Sequence, residues 1–532
     1  MEISLVGCSQ TNIIKTDYLE IQKLGFCKSN IFGGQLCFNL VKNCNKARIQ
    51  LSLKPFSKVS SSNQTANHVT LVETCLPEDR VQLFVGLPLD VVSDCNSINH
   101  VRAIKAGLKA LKLLGCEGVE VPVWWGIVEK EAMGKYEWSG YLALAKMVQD
   151  MGLKLRVSFC FHGSKQVPLP LWISQIGEAQ PDIFFSDRSG IRYKECLSFG
   201  VDDLPVLDGR SPIQVYQGFL ESFKSNFSDF MGSIITDISV GLGPKGELRY
   251  PSCSLEKTGQ ISGVGEFQCY DKHMLNNLKQ HAQETRNAKW GLGGPHDAPS
   301  CYESPNSNSF FKENGGSWET QYGDFFLSWY SSQLISHGEH LLSLASTTFS
   351  DSFVNISGKI PLLHSWYKMR SHPSEVTAGF YNTNARDGYD AVAEMFARNS
   401  CRMVLPGLEL SEKYQLHGVL SSPDLLFSQI KNACRKHGVK VYGENSRISG
   451  TQKGMDQIKQ NLIGDNVMVN LFTYQRMGTH FFSPQHFPIF TEFVRSLNQP
   501  ELHSDDIPEA EGASISLSTV SEAGTNRQMQ EA

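Results

Sequence analysis

The sequence predicts an α/β fold, a (β/α)8 TIM barrel with long loops on the carboxyl-terminal face of its strands. Short apolar runs rich in β-branched residues alternate with longer segments of helical periodicity, which is typical of parallel strands joined by crossover helices. Most runs are apolar on both alternating faces, as strands covered on both sides must be. Eight such units close naturally into a barrel. The strand count alone leaves an open doubly wound sheet as the alternative.

Each predicted strand is a short stretch of the printed sequence. The eight runs are QLFVGLPL from Gln82, GVEVPVWW from Gly118, LKLRVSFCFH from Leu153, IITDISVGLG from Ile234, NISGKIPLLHSWY from Asn355, CRMVLPGLEL from Cys401, GVKVYGEN from Gly438 and DNVMVNLFTY from Asp465. The segment from Asn99 has apolar positions at three- and four-residue spacing, which predicts a crossover helix ending at Gly115. Between the fourth and fifth runs, a long loop rich in Gly, Pro, Asn and Ser is expected from about Glu247 to Val354, as part of a substrate cleft.

The two ends of the chain differ from this pattern and set the predicted domain boundaries. Residues 1–70 hold eight Lys or Arg and three acids among many Ser and Asn, so residues 1–78 are predicted to be a transit-like segment addressed to the plastid (chloroplast). The alternative is a disordered extension without an address. Residues 79–498 form the predicted barrel. Residues 499–532 carry seven acids and one Arg, and predict an acidic disordered tail.

Composition excludes several classes of function. The 532 residues carry 49 Lys plus Arg against 54 Asp plus Glu, a net charge of -5, so binding to nucleic acid through phosphate neutralisation is not expected. A hydrophobic fraction of 41% can fill a large core, which excludes a mainly disordered chain. No apolar stretch approaches the ~18 residues of a membrane helix. The 14 cysteines lack metal-ligand spacing and are expected to be reduced thiols, so no metal or cofactor is expected.

Two carboxylates follow strand runs on the expected catalytic face. Glu247 comes after the fourth run and Glu444 is the second-last residue of the seventh, so both could flank one bond at the mouth of a barrel. Hydrolysis of a glycosidic bond needs such a pair, one protonated to assist the leaving oxygen and one ionised to activate water. The alternative is that each Glu merely pairs with a neighbouring Arg or caps a loop. Nearby aromatic side chains could pack against sugar faces, although core packing is their commoner use.

Several longer motifs resemble one family. The sequence contains GLGPKGELRYPS at 241–252, GEFQCYDK at 265–272, DGR at 208–210, FFLSWYS at 325–331, TAGFYN at 377–382, RDGY at 386–389 and GEN at 443–445. These segments resemble the plant β-amylases over roughly residues 80–498. The family releases maltose from the non-reducing ends of α-1,4-glucans with inversion, on a (β/α)8 barrel.

The resemblance implies roles for individual residues. Glu247 matches the family's general acid and Glu444 its general base. The positions that match substrate contacts are His162, Lys359, His364, Asn445, Ser446 and Arg476. The partners implied are an α-1,4-glucan such as starch, or a maltose-like ligand, and no membrane or nucleic acid.

The chain also departs from the family pattern around the expected site. Gly163–Pro168 replaces a longer glycine-rich lid, and Pro122 stands where the family has a sugar-binding Asp. The mobile inner segment becomes Leu405–Leu410 with Pro406, and Ser365 replaces a Trp. Two hypotheses follow. One is an active β-amylase; the other, favoured by these departures, is a member of the non-catalytic branch that acts as a regulator by binding glucan or another starch-degrading protein.

Overall fold

The computed structural model describes residues 80–252, 263–301, 303–415, 420–446, 451–463 and 469–498. The predicted transit-like segment 1–78 and the acidic tail 499–532 lie outside the described residues. Eight parallel strands close into a barrel in which each strand pairs with the next barrel strand along the chain and the last pairs with the first. The predicted (β/α)8 barrel is thus confirmed and the open sheet is excluded.

The barrel strands coincide with the eight apolar runs. They are β1 (Gln82–Gly86), β2 (Gly118–Trp124), β3 (Lys154–Cys160), β6 (Ile235–Val240), β7 (Asn355–Lys359), β8 (Arg402–Leu405), β9 (Val441–Glu444) and β10 (Val469–Tyr474). A separate antiparallel hairpin, β4 (Phe184–Ser186) and β5 (Arg192–Leu197), follows the third barrel strand and was not predicted.

Helices cover the outside of the barrel and join its strands. In chain order they are α1 (Val101–Leu114), α2 (Trp125–Val128), α3 (Ser139–Asp150), α4 (Leu171–Ala179), α5 (Pro212–Asn226), α6 (Lys272–Glu284), α7 (Gln321–Thr348), α8 (Pro373–Thr377), α9 (Tyr389–Arg398), α10 (Pro423–His437), α11 (Gln452–Ile463) and α12 (Phe487–Asn498). The predicted end of α1 is confirmed, because Gly115 caps it with a left-handed backbone (φ 88°) that costs glycine little. No helix in the described ranges is both long and apolar enough to cross a membrane.

The expectation of one long loop from Glu247 to Val354 is wrong. The segment contains α6 and the 28-residue α7, which is the longest helix of the described chain. The buried residues of α7 are spread over more than half of its circumference, so it lacks the narrow apolar stripe that makes a surface helix visible in a sequence. Its Tyr330 ring stacks on Tyr250 with centroids 3.9 Å apart and so attaches the helix to the segment after Glu247.

The expectation of reduced thiols is wrong for Cys301, which is disulfide-bonded. The other cysteines of the described ranges are free thiols. Cys95 is an exposed free thiol, and Cys116, Cys160, Cys196, Cys269, Cys401 and Cys434 are buried free thiols.

Candidate active site

Glu247 and Glu444 lie at the same end of the barrel, after strands β6 and β9, which are separated in the closed sheet by β7 and β8. Glu444 is the last residue of β9. Glu247 follows a tight turn in which Lys245 and Gly246 both have positive φ, 59° and 78°. This turn brings Glu247 back beside β7, where it forms a parallel bridge with Lys359. The two glutamates therefore approach the same strand from either side.

Lys359 connects the two carboxylates. Its Nζ lies 2.5 Å from Glu444 Oε2, and its carbonyl oxygen accepts a hydrogen bond of 2.8 Å from the Leu248 backbone amide, next to Glu247. Burial opposes the charge of the ammonium, but Glu444 and Glu120 outweigh this effect and raise the pKa of Lys359. The lysine therefore remains a cation between the two acids.

A buried ion network lies beneath Glu444, inside the barrel. The guanidinium of Arg156 on β3 is completely buried, and its Nη1 lies 3.2 Å from Glu120 Oε2 and 3.5 Å from Glu444 Oε1. The same nitrogen donates to Thr473 Oγ1 at 2.8 Å. Glu120 and Arg156 are register partners on neighbouring strands β2 and β3. We call Glu120, Arg156, Lys359 and Glu444 the barrel network.

The pKa values of the two carboxyl groups in the barrel network are shifted in opposite directions. Burial raises the pKa of Glu444 and repulsion by Glu120 adds to the rise, so Lys359 and Arg156 compensate only in part. For Glu120, burial also favours the neutral acid, but Arg156, Lys359 and Arg476 outweigh it and lower the pKa. The ionisation of the two acids is thus coupled through Arg156 and Lys359, and the resemblance assigns the role of base to Glu444.

Glu247 has a more open environment. Its side chain is 18% exposed, against 2% for Glu444, and its Oε2 lies 3.6 Å from Arg249 Nη1. This distance is an ion pair without the close geometry of a hydrogen bond. The carboxyl can therefore be reached by a ligand at the mouth.

His162 lies at the end of β3, beside the turn that carries Glu247. Its ring meets Trp124 edge-on with centroids 5.4 Å apart, and a Cβ added to Gly246 would lie 3.3 Å from His162 Cε1. Burial, together with Lys359 and Lys245, lowers the pKa of His162 to about 3. The imidazole is therefore neutral at physiological pH and can donate or accept a hydrogen bond.

The shortened segment after His162 forms a compact turn. The Ser164 amide donates to the Val167 carbonyl at 2.7 Å, and the Gly163 amide donates to the Glu195 carbonyl at 2.6 Å. Its far end packs so closely on α2 that a Cβ on Gly126 would collide with the Pro168 carbonyl oxygen. Because this short segment is held at both ends, it leaves little chain that could open and close over a ligand as a lid.

Four further predicted contact residues make hydrogen bonds within the protein. Asn445 exchanges two hydrogen bonds of 2.7 Å with the backbone of Gln475. Ser446 Oγ donates to Glu409 Oε1 at 2.7 Å.

The remaining two also contact protein groups. Arg476 Nη1 donates to the Leu87 carbonyl at 2.7 Å. His364 Nδ1 lies 2.6 Å from Ser421 Oγ. These side chains are thus positioned by their own neighbours before any ligand arrives.

Sequence reasoning missed Glu120 and Arg156. Each is a charged residue inside a run that is otherwise largely apolar, GVEVPVWW and LKLRVSFC. A charge in a strand buried on both faces requires a partner, and this was the available signal. No three His, Cys, Asp or Glu side chains of the described ranges are grouped as metal ligands.

Comparisons with known proteins identify the family of this chain. The sequence profile of glycosyl hydrolase family 14 matches residues 84–501. The chain is 54% identical to "Inactive beta-amylase 9" of Arabidopsis thaliana over 98% of both chains. The chain belongs to glycosyl hydrolase family 14.

The chain is also similar to proteins that are named β-amylases without the word inactive. The chain is 40% identical to "Beta-amylase 1, chloroplastic" of Arabidopsis thaliana over 79% of this chain and 76% of that one. The crystal structure of the catalytic domain of β-amylase from Paenibacillus polymyxa superposes with a TM-score of 0.64 at 27% identity, and covers 79% of this chain and 99% of that one. The resemblance to the β-amylases is confirmed.

Proposed function

We propose that this family 14 protein acts in the breakdown of α-1,4-glucans such as starch without itself releasing maltose at an appreciable rate. It acts as a regulator that binds glucan, or binds another starch-degrading protein. In this proposal the mouth keeps the acid and base positions, Glu247 and Glu444, but has lost the conditions that make them work together.

The observation that carries the proposal is the barrel network. A general base must present a free carboxylate oxygen to the attacking water. One oxygen of Glu444 contacts the Lys359 ammonium and the other faces Arg156, and the side chain is 2% exposed. Because each oxygen of Glu444 faces a cation and its side chain is almost fully buried, an attacking water has little access to a free carboxylate oxygen.

The departures around the mouth support the same conclusion. Pro122 supplies no carboxylate to a sugar hydroxyl, and each such charged hydrogen bond is worth about 1.5 to 3 kcal/mol, or roughly ten- to a hundredfold in rate if it acts in the transition state. The compact turn at Gly163–Pro168 also removes the closure that would exclude water. The reductions in rate from these losses multiply with the reduction caused by restricted access to Glu444.

The alternative function is an active β-amylase that releases maltose from non-reducing ends with inversion. The observation that favours it is that Glu247 and Glu444 both stand at the mouth, on either side of Lys359. An inverting mechanism needs two carboxyls ~6.5 to 9.5 Å apart with room for one water.

The experiment combines binding and turnover on one sample. The full-length protein is incubated with insoluble starch, the starch is sedimented, and the supernatant is assayed for maltose, with Glu247→Gln as the matched control. We expect protein in the pellet and the same background of maltose from both proteins. Maltose release that the substitution abolishes would establish the active alternative. Protein that stays in the supernatant, without maltose, would point to a protein partner instead of glucan.

We also propose a plastid location. The support is the basic, Ser-rich composition of residues 1–70 and the word "chloroplastic" in the name of the 40% identical relative. Residues 1–78 fused to a fluorescent protein should enter chloroplasts. A fusion that stays in the cytosol would contradict this assignment.

A further inference from the structure

A second concave surface lies at the opposite end of the barrel from Glu247 and Glu444. It is a groove of about 950 Å³ between α5 and α7. Met231 and Phe353 line it and directly precede strands β6 and β7, so the groove opens at the amino-terminal end of these strands. We call it the amino-face groove. It shares no lining residue with the mouth.

The lining of the amino-face groove is mainly polar but uncharged. Seven of its side chains carry hydroxyl or amide groups, namely Gln217, Ser225, Ser228, Ser343, Thr347, Thr348 and Ser352. Hydroxyl groups both donate and accept hydrogen bonds, as the hydroxyls of a sugar do. A surface that binds another protein would instead expose several large apolar or Arg side chains as hot spots.

The charges of the amino-face groove nearly cancel. Lys224 Nζ lies 2.6 Å from Asp351 Oδ1, which neutralises both groups, and Glu221 accepts a hydrogen bond of 2.8 Å from Gln217. The remaining single negative charge repels phosphates and other anions. A neutral polar ligand therefore fits best.

One aromatic side chain stands in the open at this groove. Phe353 is 95% exposed, although burial of its ring would be favourable. Its backbone has φ 51°, the left-handed region in which a bulky residue is strained. A glycine would adopt this conformation freely, as Gly232 does opposite it at φ 67°. Strain kept at an exposed position indicates a function that the ring performs.

We propose that the amino-face groove is a second binding site for a neutral α-glucan chain, in which the Phe353 ring packs against a sugar face and the surrounding hydroxyls bond its edges. An exposed aromatic platform flanked by side chains that donate and accept hydrogen bonds matches the apolar face and polar rim of a glucose unit. This second proposal rests on the proposed function only in its class of ligand, an α-glucan. It needs no catalytic residue.

The test is affinity electrophoresis of the full-length protein in gels with increasing soluble starch. Phe353→Gly should bind about tenfold more weakly, which corresponds to the loss of one stacking contact. Its unfolding midpoint should be equal or higher, because glycine relieves the left-handed strain, so lost binding cannot be attributed to misfolding. Phe353→Tyr should retain binding, since it keeps the ring. Leu113→Ala on α1 removes another exposed apolar side chain and is the matched control; it should change nothing.

Two results would overturn this inference. One is Phe353→Gly protein retarded as strongly as the wild type, which would place glucan binding elsewhere. The other is wild-type protein that soluble starch does not retard. Neither result bears on maltose release, so failure of the second site is distinguishable from failure of the proposed non-hydrolytic function.

Discussion

The two glutamates at the barrel mouth have contrasting surroundings. Glu444 is buried and contacts two cations, whereas Glu247 is 18% exposed and has one loosely placed partner, Arg249. A side chain enclosed by a charge network contributes to the fold, and a side chain in the open remains available to a ligand. We propose that Glu444, to which the resemblance assigns the role of base, contributes mainly to the core of the barrel.

Replacing Arg156 should have the largest effect. Arg156→Leu leaves Glu120 and Glu444 buried together without their shared guanidinium, and breaking a buried network in this way costs about 3 to 5 kcal/mol. Urea unfolding of the full-length chain measures the change in free energy of unfolding. A loss below about 1 kcal/mol would show that the barrel network is not structural.

A double substitution provides the control for this prediction. Glu120→Met with Arg156→Leu removes one acid together with the cation, so the free energy of unfolding should recover most of the loss. Additive losses in the double variant would contradict the pairing of Glu120 with Arg156.

The second prediction concerns Glu444 itself. Glu444→Gln keeps the shape but removes the charge that Lys359 and Arg156 face, so the protein should lose about 2 to 3 kcal/mol of stability. The free energy of unfolding and the rate of maltose release should be compared with wild type. We expect lower stability with an unchanged background of maltose; the reverse pattern would identify Glu444 as a working catalytic base.

The third prediction is a pH dependence that originates in Glu120. Because the folded state lowers the pKa of Glu120, its stabilising contribution is complete above the unfolded pKa of about 4.3 and is lost as the pH falls through the lower folded value. Glu120→Gln should therefore flatten the decline in stability below about pH 4.3. Thermal unfolding midpoints measured from pH 3 to 6 would check this. The same decline at low pH in the variant as in the wild type would show that the pH dependence does not originate in Glu120.

The smallest effect is expected for Glu247. Glu247→Gln removes a partly exposed ion pair with 3.6 Å separation, so stability should change by less than about 1 kcal/mol. The same urea titration measures it. A loss as large as that of Glu444→Gln would remove the contrast between the two residues.

The fold could be predicted from the sequence because most barrel strands are apolar on both faces, and Glu444 lies at the end of one such run. The helix α7 could not be recognised, since it is buried on several sides and its neighbouring segments are rich in Gly, Asn and Ser. Glu120 and Arg156 were visible as charges in apolar strands, but only the register of β2 on β3 makes them partners.

Contacts made by loops were beyond sequence reasoning for a different reason. Ser446 bonds to Glu409, which is 37 residues away, and Asn445 bonds to the backbone of Gln475. Such pairs depend on how the ends of strands β8, β9 and β10 bend toward each other, and no local pattern encodes that.

We propose that the mouth of the barrel does not turn over glucan. Proton NMR of the full-length protein with maltopentaose is the decisive assay, because the anomeric signals show whether maltose appears and with which configuration. We expect no maltose signal above that of the Glu247→Gln protein during a long incubation. Steady appearance of β-maltose from the wild type alone would show that the mouth is active and would establish an inverting β-amylase.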